Sequence, residues 1–252
     1  MKIPTSNQSF NHLPWLLASG IAAVLLGACA SLPPVDKESY KRAIASPIRT
    51  DADRLADATR KPLELLEFAQ LRRGQKVMDM ASGGGFSAQL LALAVGDSGK
   101  AWAQVSQLRP PLEKRLADHP DSNITLLVRP LDDPYPADAP RLDLVTLILS
   151  YHDIANTTID RAKMNRGIFG ALKSGGRLVL VDHSTKPGVG LSQTKTLHRI
   201  DEATVIEEFR QAGFALEASG DFLRSPADPR EQAYFDLKGA TSDRFALRFV
   251  KP

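Results

Sequence analysis

The chain has 252 residues, 43% of them hydrophobic, and a formal net charge of +3, which suits one large α/β domain with a full core. The basic residues are scattered and form no long run, so the sequence predicts no nucleic-acid-binding surface. The single cysteine, Cys29, excludes an internal disulfide and a cysteine-based zinc site.

The N-terminal segment has the order of a signal peptide. A weakly charged lead containing Lys2 precedes the apolar run at 15–26, which is too short to span a bilayer well. The sequence Leu-Gly-Ala-Cys at 26–29 resembles a bacterial lipobox, in which the cysteine thiol is lipidated. A plain secretory signal, or a membrane anchor with an incidental cysteine, is the alternative.

The lipobox resemblance implies a processed and exported protein. We expect residues 1–28 to be a cleaved signal peptide, Cys29 to carry lipid, and residues 29–35 to form a tether. The protein would then reside in the periplasm and touch the membrane through its lipid anchor only. Ala30 follows the cysteine where Asp would favour inner-membrane retention, so the outer membrane is the expected location.

Residues 36–252 are predicted to form the folded domain, with a helical lead at 36–71 and a core at 75–250. Pro47 and Pro62 divide the lead into two or three helices. In the core, apolar runs typical of buried strands alternate with helical patterns, which predicts a parallel sheet covered on both faces. The predicted strands are Lys76–Met80, Lys100–Val105, Ile124–Val128, Leu142–Leu149, Arg177–Val181, a strand beginning at Phe214, and Arg244–Val250. The predicted helices are Phe86–Val95, Pro110–Ala117, Asp160–Leu172 and Asp201–Ala212.

A glycine-rich turn, residues 81–85, joins the first predicted strand to its helix. Glycines allow the backbone to approach a ligand closely, and the free amides of a helix start favour an anion. In an open parallel sheet the ligand crevice lies at the carboxyl ends of the strands. A purely structural turn is an alternative, and so is a dinucleotide loop, because Gly83-x-Gly85-x-x-Ala88 fits that looser pattern.

The stretch Val77–Ser87 resembles the first motif of class I S-adenosylmethionine-dependent methyltransferases. Three further segments follow in the order of that family: Gly99–Ser106 at the second strand, Arg141–Val145 at the fourth, and Leu172–Leu180 at the entry to the fifth. The resemblance covers 75–250 and is greatest to a group of exported predicted bacterial methyltransferases. It implies an α/β fold with a doubly wound, mostly parallel, seven-stranded Rossmann-like sheet.

The resemblance also implies S-adenosylmethionine as the cofactor, with its methionine end on the glycine turn and its amino group near Asp79. Ala81 stands where the family usually has another glycine. Val105 stands where an acid usually binds the ribose, and the neighbouring Gln104 could bond a hydroxyl without charge. Asp132 or Asp133, after the third strand, could lie near the adenine or belong to a solvated turn. The predicted cofactor-binding residues are Asp79, Ala81, Ser82, Gly83, Gly84, Gly85, Gln104 and Asp132.

Polar side chains follow the fourth and fifth predicted strands. Tyr151 and His152 leave the fourth strand, and Asp182 and His183 leave the fifth. Because both strand ends lie beside the first strand in this fold, we expect these side chains to converge over the cofactor's methyl group. Their chemistry suits proton transfer from a hydroxyl or amine of a small-molecule substrate, so all four are predicted to be catalytic, with no metal assigned.

A third polar group, residues 198–201, precedes a later helix. Asp201 fits a helix cap, and His198 and Arg199 fit surface positions equally well.

Two alternatives to an exported methyltransferase remain open. A cofactor made in the cytoplasm should be scarce outside it, so the protein could be a non-catalytic binding lipoprotein on the same fold. The second alternative is a metal-dependent enzyme, since His152, Asp153, Asp182 and His183 have the chemistry of metal ligands.

Overall fold

The structure is a computed structural model that describes residues 1–2, 35–238 and 240–252. It divides into two compact units, Met1–Leu32 and Pro33–Pro252, and the second carries every helix and strand described below. Cys29, the predicted signal peptide beyond its first two residues, and most of the predicted tether lie outside the described residues. In the described part of the chain no helix has the length and apolar character needed to cross a membrane.

Seven strands form a single sheet in the order β3-β2-β1-β4-β5-β7-β6. Every pairing is parallel except the two made by β7, which runs antiparallel to β5 and β6. The prediction of a mostly parallel, seven-stranded, doubly wound sheet is confirmed. The strands are β1 Lys76–Met80, β2 Lys100–Val105, β3 Ile124–Val128, β4 Leu142–Ile148, β5 Leu172–His183, β6 Ala215–Gly220 and β7 Arg244–Val250.

Nine α-helices flank the sheet in the described residues, and a 3-10 turn, Tyr234–Asp236, precedes β7. The first three form the predicted helical lead. Pro62 occupies the first turn of the third helix, as expected of a residue that lacks an amide hydrogen. The helices are α1 Lys37–Ala45, α2 Asp51–Arg60, α3 Pro62–Ala69, α4 Phe86–Val95, α5 Pro110–Asp118, α6 Tyr151–Ile154, α7 Arg161–Ala171, α8 Thr194–Leu197 and α9 Glu202–Gln211.

The boundaries of β4 and β5 differ from their predicted positions. Leu149 adopts a left-handed backbone with φ 55° and ends β4 one residue early. Leu172 pairs with Leu142, so β5 begins at Leu172 and its register then shifts before Leu144 pairs with Arg177. The glycines at 175–176, predicted as the stop of a helix, therefore lie inside an irregular first part of β5.

Alternating side chains of the strands feed two cores, one on each face of the sheet. Val77 packs with Leu90 of α4 and Leu66 of α3 on one face. Met78 packs with Ile168 of α7 and Phe209 of α9 on the other. All six side chains are at most 1% exposed. This two-faced burial explains why the strands read as nearly continuous apolar runs.

Helix α2 is fixed to the core by a buried ion pair. Arg115 of α5 donates to both carboxylate oxygens of Asp53 at 2.8 and 2.9 Å, and its Nε donates to the Gly84 carbonyl at 2.8 Å. Asp53 also closes a capping box with Thr50 at the start of α2. The side chains of Arg115 and Asp53 are only 10% and 6% exposed, so the helical lead and the glycine turn share one guanidinium.

Replacing Asp53 by Asn should lower the free energy of unfolding by roughly 3 kcal/mol, because Arg115 loses its buried counter-charge. Burial favours the neutral acid, but the bonds from Arg115 and Thr50 outweigh it and hold the pKa of Asp53 below its usual value. The ionised form is therefore the stabilising one. The difference between wild type and variant should be full at neutral pH and shrink as pH falls below the ordinary carboxyl range.

Urea denaturation at several pH values measures this difference. Asp51→Asn is the matched control, since Asp51 begins the same helix with its side chain fully exposed and should cost less than about 1 kcal/mol. Equal effects of the two substitutions would contradict the structural role given to Asp53.

Candidate functional site

The glycine turn between β1 and α4 is held from below by Gln104. Its Oε1 accepts a hydrogen bond from the Ala81 amide at 3.0 Å, and its carbonyl accepts one from the Ser82 amide at 2.9 Å. Its Nε2 donates to the Arg129 carbonyl at 2.8 Å. Gln104 is fully buried, so the structure places its amide beneath the turn, away from the surface where a cofactor hydroxyl was expected to meet it.

The turn is open at Gly83 and closed at Gly85. Gly83 and Gly84 are exposed, and a Cβ built at Gly83 would meet no atom within 4 Å. Gly85 is the N-cap of α4 with φ 81°, and a Cβ there would lie 2.8 Å from Leu112 Cδ1. The space for a ligand is therefore at Gly83 and Gly84, whereas Gly85 lacks a side chain because α5 packs against it.

Asp79 lies near the end of β1, beneath the turn. Its Oδ1 accepts from the Thr146 hydroxyl at 2.7 Å and its Oδ2 from the Ser82 hydroxyl at 2.6 Å. Burial raises the pKa of Asp79 to about 6, although these two bonds and the charge of Arg60 act in the opposite direction. At neutral pH the carboxylate is mostly ionised and fixes Ser82 in the turn.

Asp132 follows β3, as the sequence predicted, but its carboxylate points to a neighbouring helix. It forms an ion pair with Lys163 Nζ of α7 at 2.9 Å. Its side chain is 26% exposed, which is the environment of a partly solvated turn. The structure thus shows a surface ion pair at Asp132, and its contact with an adenine stays a prediction.

Asp182, at the end of β5, orients His152 in α6. Its Oδ1 lies 2.6 Å from His152 Nδ1, and its Oδ2 accepts from the His152 amide at 2.8 Å. Burial alone would lower the pKa of His152, but the hydrogen bond and charge of Asp182 and the charge of Asp153 outweigh it and raise that pKa. The structure therefore brings together two of the four predicted catalytic side chains as a buried carboxylate–imidazole pair.

His183 completes this group from the neighbouring position on β5. Its ring centroid lies 5.6 Å from that of His152, and its Nδ1 lies 2.8 Å from the Ser242 hydroxyl. The ring stacks on Tyr234 at a centroid distance of 3.9 Å and an interplanar angle of 9°. Burial, with the charges of His152 and nearby arginines, lowers the pKa of His183 to about 2, so this imidazole stays neutral at physiological pH.

Tyr151 is not part of the imidazole group. Its hydroxyl donates to Glu208 of α9 and accepts from Asn165 Nδ2 at 2.8 Å. Its ring packs against Phe209 in the core on the α7–α9 face. Burial and the Glu208 charge raise the pKa of Tyr151. The predicted catalytic role of Tyr151 therefore finds no support in its position, because the short helix α6 sends consecutive side chains in different directions.

His198 approaches the imidazole group from the end of α8. Its Nδ1 lies 3.0 Å from Asp153 Oδ1, and its ring centroid is 5.6 Å from that of His152. His198 has a left-handed backbone with φ 51°. Three residues on, Asp201 caps α9 by accepting from the Ala203 amide at 3.0 Å, as the sequence pattern indicated.

Arg60 is the last residue of α2. Its guanidinium sits 4.6 Å from the Phe86 ring centroid at the start of α4. Burial lowers the pKa of Arg60, and the charges of Asp79 and Asp53 and the Tyr234 hydroxyl partly offset this effect. Arg60 therefore interacts by charge with both Asp79 and Tyr234, at the carboxyl edge of the sheet where a fold of this kind has its ligand cleft.

Three non-glycine residues with positive φ stand at this edge of the sheet. They are Ala81 after β1, Leu149 after β4 and His198 after α8, with φ between 51° and 55°. Such a backbone costs about 1 kcal/mol or more per residue and concentrates at functional sites. The strain supports the carboxyl edge of the sheet as the functional site.

Sequence reasoning missed two groups near this site. Tyr234 is remote in sequence from His183, and the pattern around it gave no signal of a stacked ring. Arg199, interpreted as a possible surface residue, is 0% exposed and pairs with Asp228 at 2.7 Å. The Asp228 carboxylate also accepts from the Arg230 amide at 2.9 Å and so shapes the local turn. A short Asp-Pro-Arg turn was the only visible signal.

The sheet order and the glycine turn after its first strand define the fold of the class I S-adenosylmethionine-dependent methyltransferases. No family model matches the chain. A segment of 97 residues, 38% of this chain, is 30% identical to a protein-L-isoaspartate O-methyltransferase of Ignicoccus hospitalis. The match spans 46% of that relative, less than half its length.

Solved structures agree on the fold across most of the chain. A SAM-dependent methyltransferase from Aquifex aeolicus superposes with a TM-score of 0.59 at 15% identity, covering 86% of this chain and 99% of the other. CrArsM, an arsenic(III) S-adenosylmethionine methyltransferase from Chlamydomonas reinhardtii, gives 0.54 at 15% identity over 87% and 74%. At such identities these similarities establish the fold.

The residues of the cleft fit one end of S-adenosylmethionine better than the other. Exposed amides at Gly83 and Gly84, next to a helix start and above the Asp79 carboxylate, suit the amino-acid end of the cofactor. At the ribose end, Val105 is 6% exposed and brings no acid, and Gln104 already bonds the turn. The structure therefore has no acid at the position where the family usually binds the ribose.

The two outer glycines of the turn should respond differently to alanine. Gly85→Ala should destabilise the protein by roughly 2–3 kcal/mol, because its Cβ overlaps Leu112 and its backbone is left-handed. Gly83→Ala should cost only about 1 kcal/mol, since φ 56° is strained but the space is open. Urea unfolding measures both, and a Gly83 variant as unstable as the Gly85 variant would show that the turn is closed.

Proposed function

We propose that this protein is an S-adenosylmethionine-dependent methyltransferase acting on a small-molecule acceptor. The observation that carries the proposal is the open glycine turn above a buried Asp79, at the same edge of a class I methyltransferase fold as a buried carboxylate–imidazole pair. The curated relative is an O-methyltransferase, which supports the same reaction class. When bound, the cofactor supplies an activated methyl group on a sulfonium sulfur.

The side chains of the cleft divide into a cofactor half and an acceptor half. Gly83 and Gly84 would hold the cofactor carboxylate with their amides, and Asp79 would balance its ammonium group. On the other side, Asp182 keeps a hydrogen on His152 Nδ1, which leaves Nε2 as a lone pair able to orient or deprotonate an acceptor hydroxyl or amine. His183 remains neutral, and its ring, stacked on Tyr234, packs beside His152. Most of the rate enhancement would come from alignment of the acceptor with the methyl group.

A second candidate function is a binding lipoprotein that keeps the fold without catalysis. The buried Val105 and the internally bonded Gln104 favour it, because both remove the polar contact that the family usually gives to the ribose. The open turn and the strained strand ends oppose it. The two candidates share the cleft and differ only in whether a methyl group is transferred.

We also propose that the protein is exported and held in the periplasm by lipid on Cys29. The order of charge, apolar run, small residues and cysteine at the N-terminus supports this proposal. The scattered basic residues support a small-molecule substrate over a nucleic acid.

Binding of the cofactor can be measured by isothermal titration with S-adenosylmethionine and its demethylated product. We expect saturable heat for wild type. Asp79→Asn should bind at least tenfold more weakly, because the amide loses the charge and cannot accept from both Ser82 and Thr146. Asp143→Asn is the control, since Asp143 bonds the Lys76 amide at the start of β1, at the opposite edge of the sheet. Folded wild type that gives no heat at millimolar ligand would exclude the cofactor.

Turnover separates the enzyme from the binding protein. A periplasmic extract incubated with the protein and methyl-labelled S-adenosylmethionine should yield a labelled small molecule, detected by mass spectrometry. In cells, Asp79→Ala should abolish function if methyl transfer matters. If cellular function survives this substitution and no small molecule in the extract becomes labelled, the non-catalytic binding lipoprotein is favoured.

If Cys29 is lipidated, wild type and a Cys29 variant should differ in mass and in partitioning between detergent and water. Wild type expressed in a Gram-negative host should partition into Triton X-114 detergent and carry acyl mass on an N-terminal cysteine. Cys29→Ser should remain in the aqueous phase or keep its signal peptide, because the chain has no other thiol. A wild-type protein cleaved elsewhere, without acyl mass, would contradict the anchor.

A further inference from the structure

A cluster of two imidazoles and one carboxylate lies at the carboxyl edge of the sheet, beside the end of β5. His152 Nε2 is 3.3 Å from Asp153 Oδ1, and His198 Nδ1 is 3.0 Å from the same oxygen. All three ligand atoms lie within 4.8 Å of one another. From this arrangement we infer that His152, Asp153 and His198 form a binding site for a divalent transition metal, of which zinc is the reference ion.

The spacing of the ligand atoms suits a metal held between them. Zinc binds nitrogen and oxygen ligands at about 2.0–2.2 Å, so two ligands of a tetrahedral ion stand roughly 3.3 Å apart. The distances from Asp153 Oδ1 to the two imidazole nitrogens, 3.3 and 3.0 Å, are close to that separation. Small side-chain rotations would therefore bring all three atoms to one ion.

His152 Nε2 supplies the independent evidence for a missing partner. The His152 side chain is 2% exposed, and its Nε2 has no hydrogen-bond partner among the described residues. A buried polar atom without a partner destabilises the folded state. With the hydrogen of the ring on Nδ1, facing Asp182, the lone pair of Nε2 points to the side where Asp153 and His198 lie. A bound cation would satisfy that lone pair.

Asp182 plays the part that a carboxylate plays behind many metal-binding histidines. Its oxygen lies 2.6 Å from His152 Nδ1, which fixes the tautomer and the ring orientation and makes Nε2 a better donor to a metal. The position of His198 is also restricted, because its backbone is left-handed at the end of α8. Thr194 of α8 donates to Asn156 after α6 at 2.7 Å, so the two ligand-bearing segments are tied together.

The donor set indicates which cations fit and what the ion could do. Two imidazoles and one carboxylate suit zinc, iron(II), cobalt(II) or manganese(II), whereas magnesium and calcium prefer all-oxygen sites. Asp153 is 59% and His198 34% exposed at the side chain, so a fourth position would face solvent. That position could take an acceptor oxygen and lower its pKa. His152 would then orient the acceptor through the metal instead of deprotonating it directly.

Metal binding is tested on the full-length protein after chelator treatment. Cobalt(II) should give visible d–d absorption with one equivalent, and zinc should displace it. His198→Ala and Asp153→Asn should each weaken cobalt binding at least tenfold. Asp182→Asn should weaken it about 10- to 100-fold, because it removes the orienting carboxylate. His119→Ala is the control, since His119 ends α5, far along the chain from the cluster, and it should bind as wild type.

The outcomes separate the metal site from a simple ion pair. Variants that keep the wild-type circular dichroism spectrum but lose the cobalt absorption support the site. A wild type with no absorption, or with the same affinity as His198→Ala, would show that Asp153 and His198 form only a hydrogen-bonded pair. S-adenosylmethionine binding is measured separately, so a failure here leaves the proposed methyl transfer untouched.

Discussion

One buried carboxylate organises the functional edge of this protein. Asp182 ends β5 without exposure to solvent and accepts from the amides of His152 and His183 and from the His152 ring. These bonds fix the segment after β4 against the end of β5. Because a buried charge is stable only when its hydrogen bonds are complete, neighbouring backbone and imidazole must keep one arrangement. The orientation of His152, and with it the cleft, depends on that requirement.

The fold could be predicted from the sequence because its signals are local. Apolar runs bounded by glycine and proline marked each strand, and the turn at 81–85 fixed the point where a ligand crevice belongs. The convergence of His152, Asp182 and His183 also followed, since parallel strands end at the same edge of the sheet. The five residues at the start of β5, 172–176, were misjudged, because glycines at 175–176 resemble a helix stop although Leu172 already pairs with Leu142.

The directions of side chains and their partners distant in sequence could not be predicted from the sequence. Tyr151 and His152 are adjacent, yet the first turns to Glu208 and the second to Asp182, because a short helix separates neighbouring side chains by about 100°. Gln104 looked available for a cofactor, but its partner is the backbone of a turn distant in sequence. The burial of Arg199 depends on its ion pair with Asp228, and the packing of the His183 ring depends on Tyr234. No local pattern encodes such pairings.

The Arg115 guanidinium connects the glycine turn, where a ligand is expected, to helix α2 of the helical lead. It holds the carbonyl of Gly84 and the carboxylate of Asp53 at once, so a displacement of the turn is transmitted to α2. By thermodynamic reciprocity, a ligand that selects one position of the turn also selects one position of the helix, and a contact that restrains the helix changes the ligand's affinity. Binding of a ligand at the glycine turn should thus change the amide exchange rates along α2.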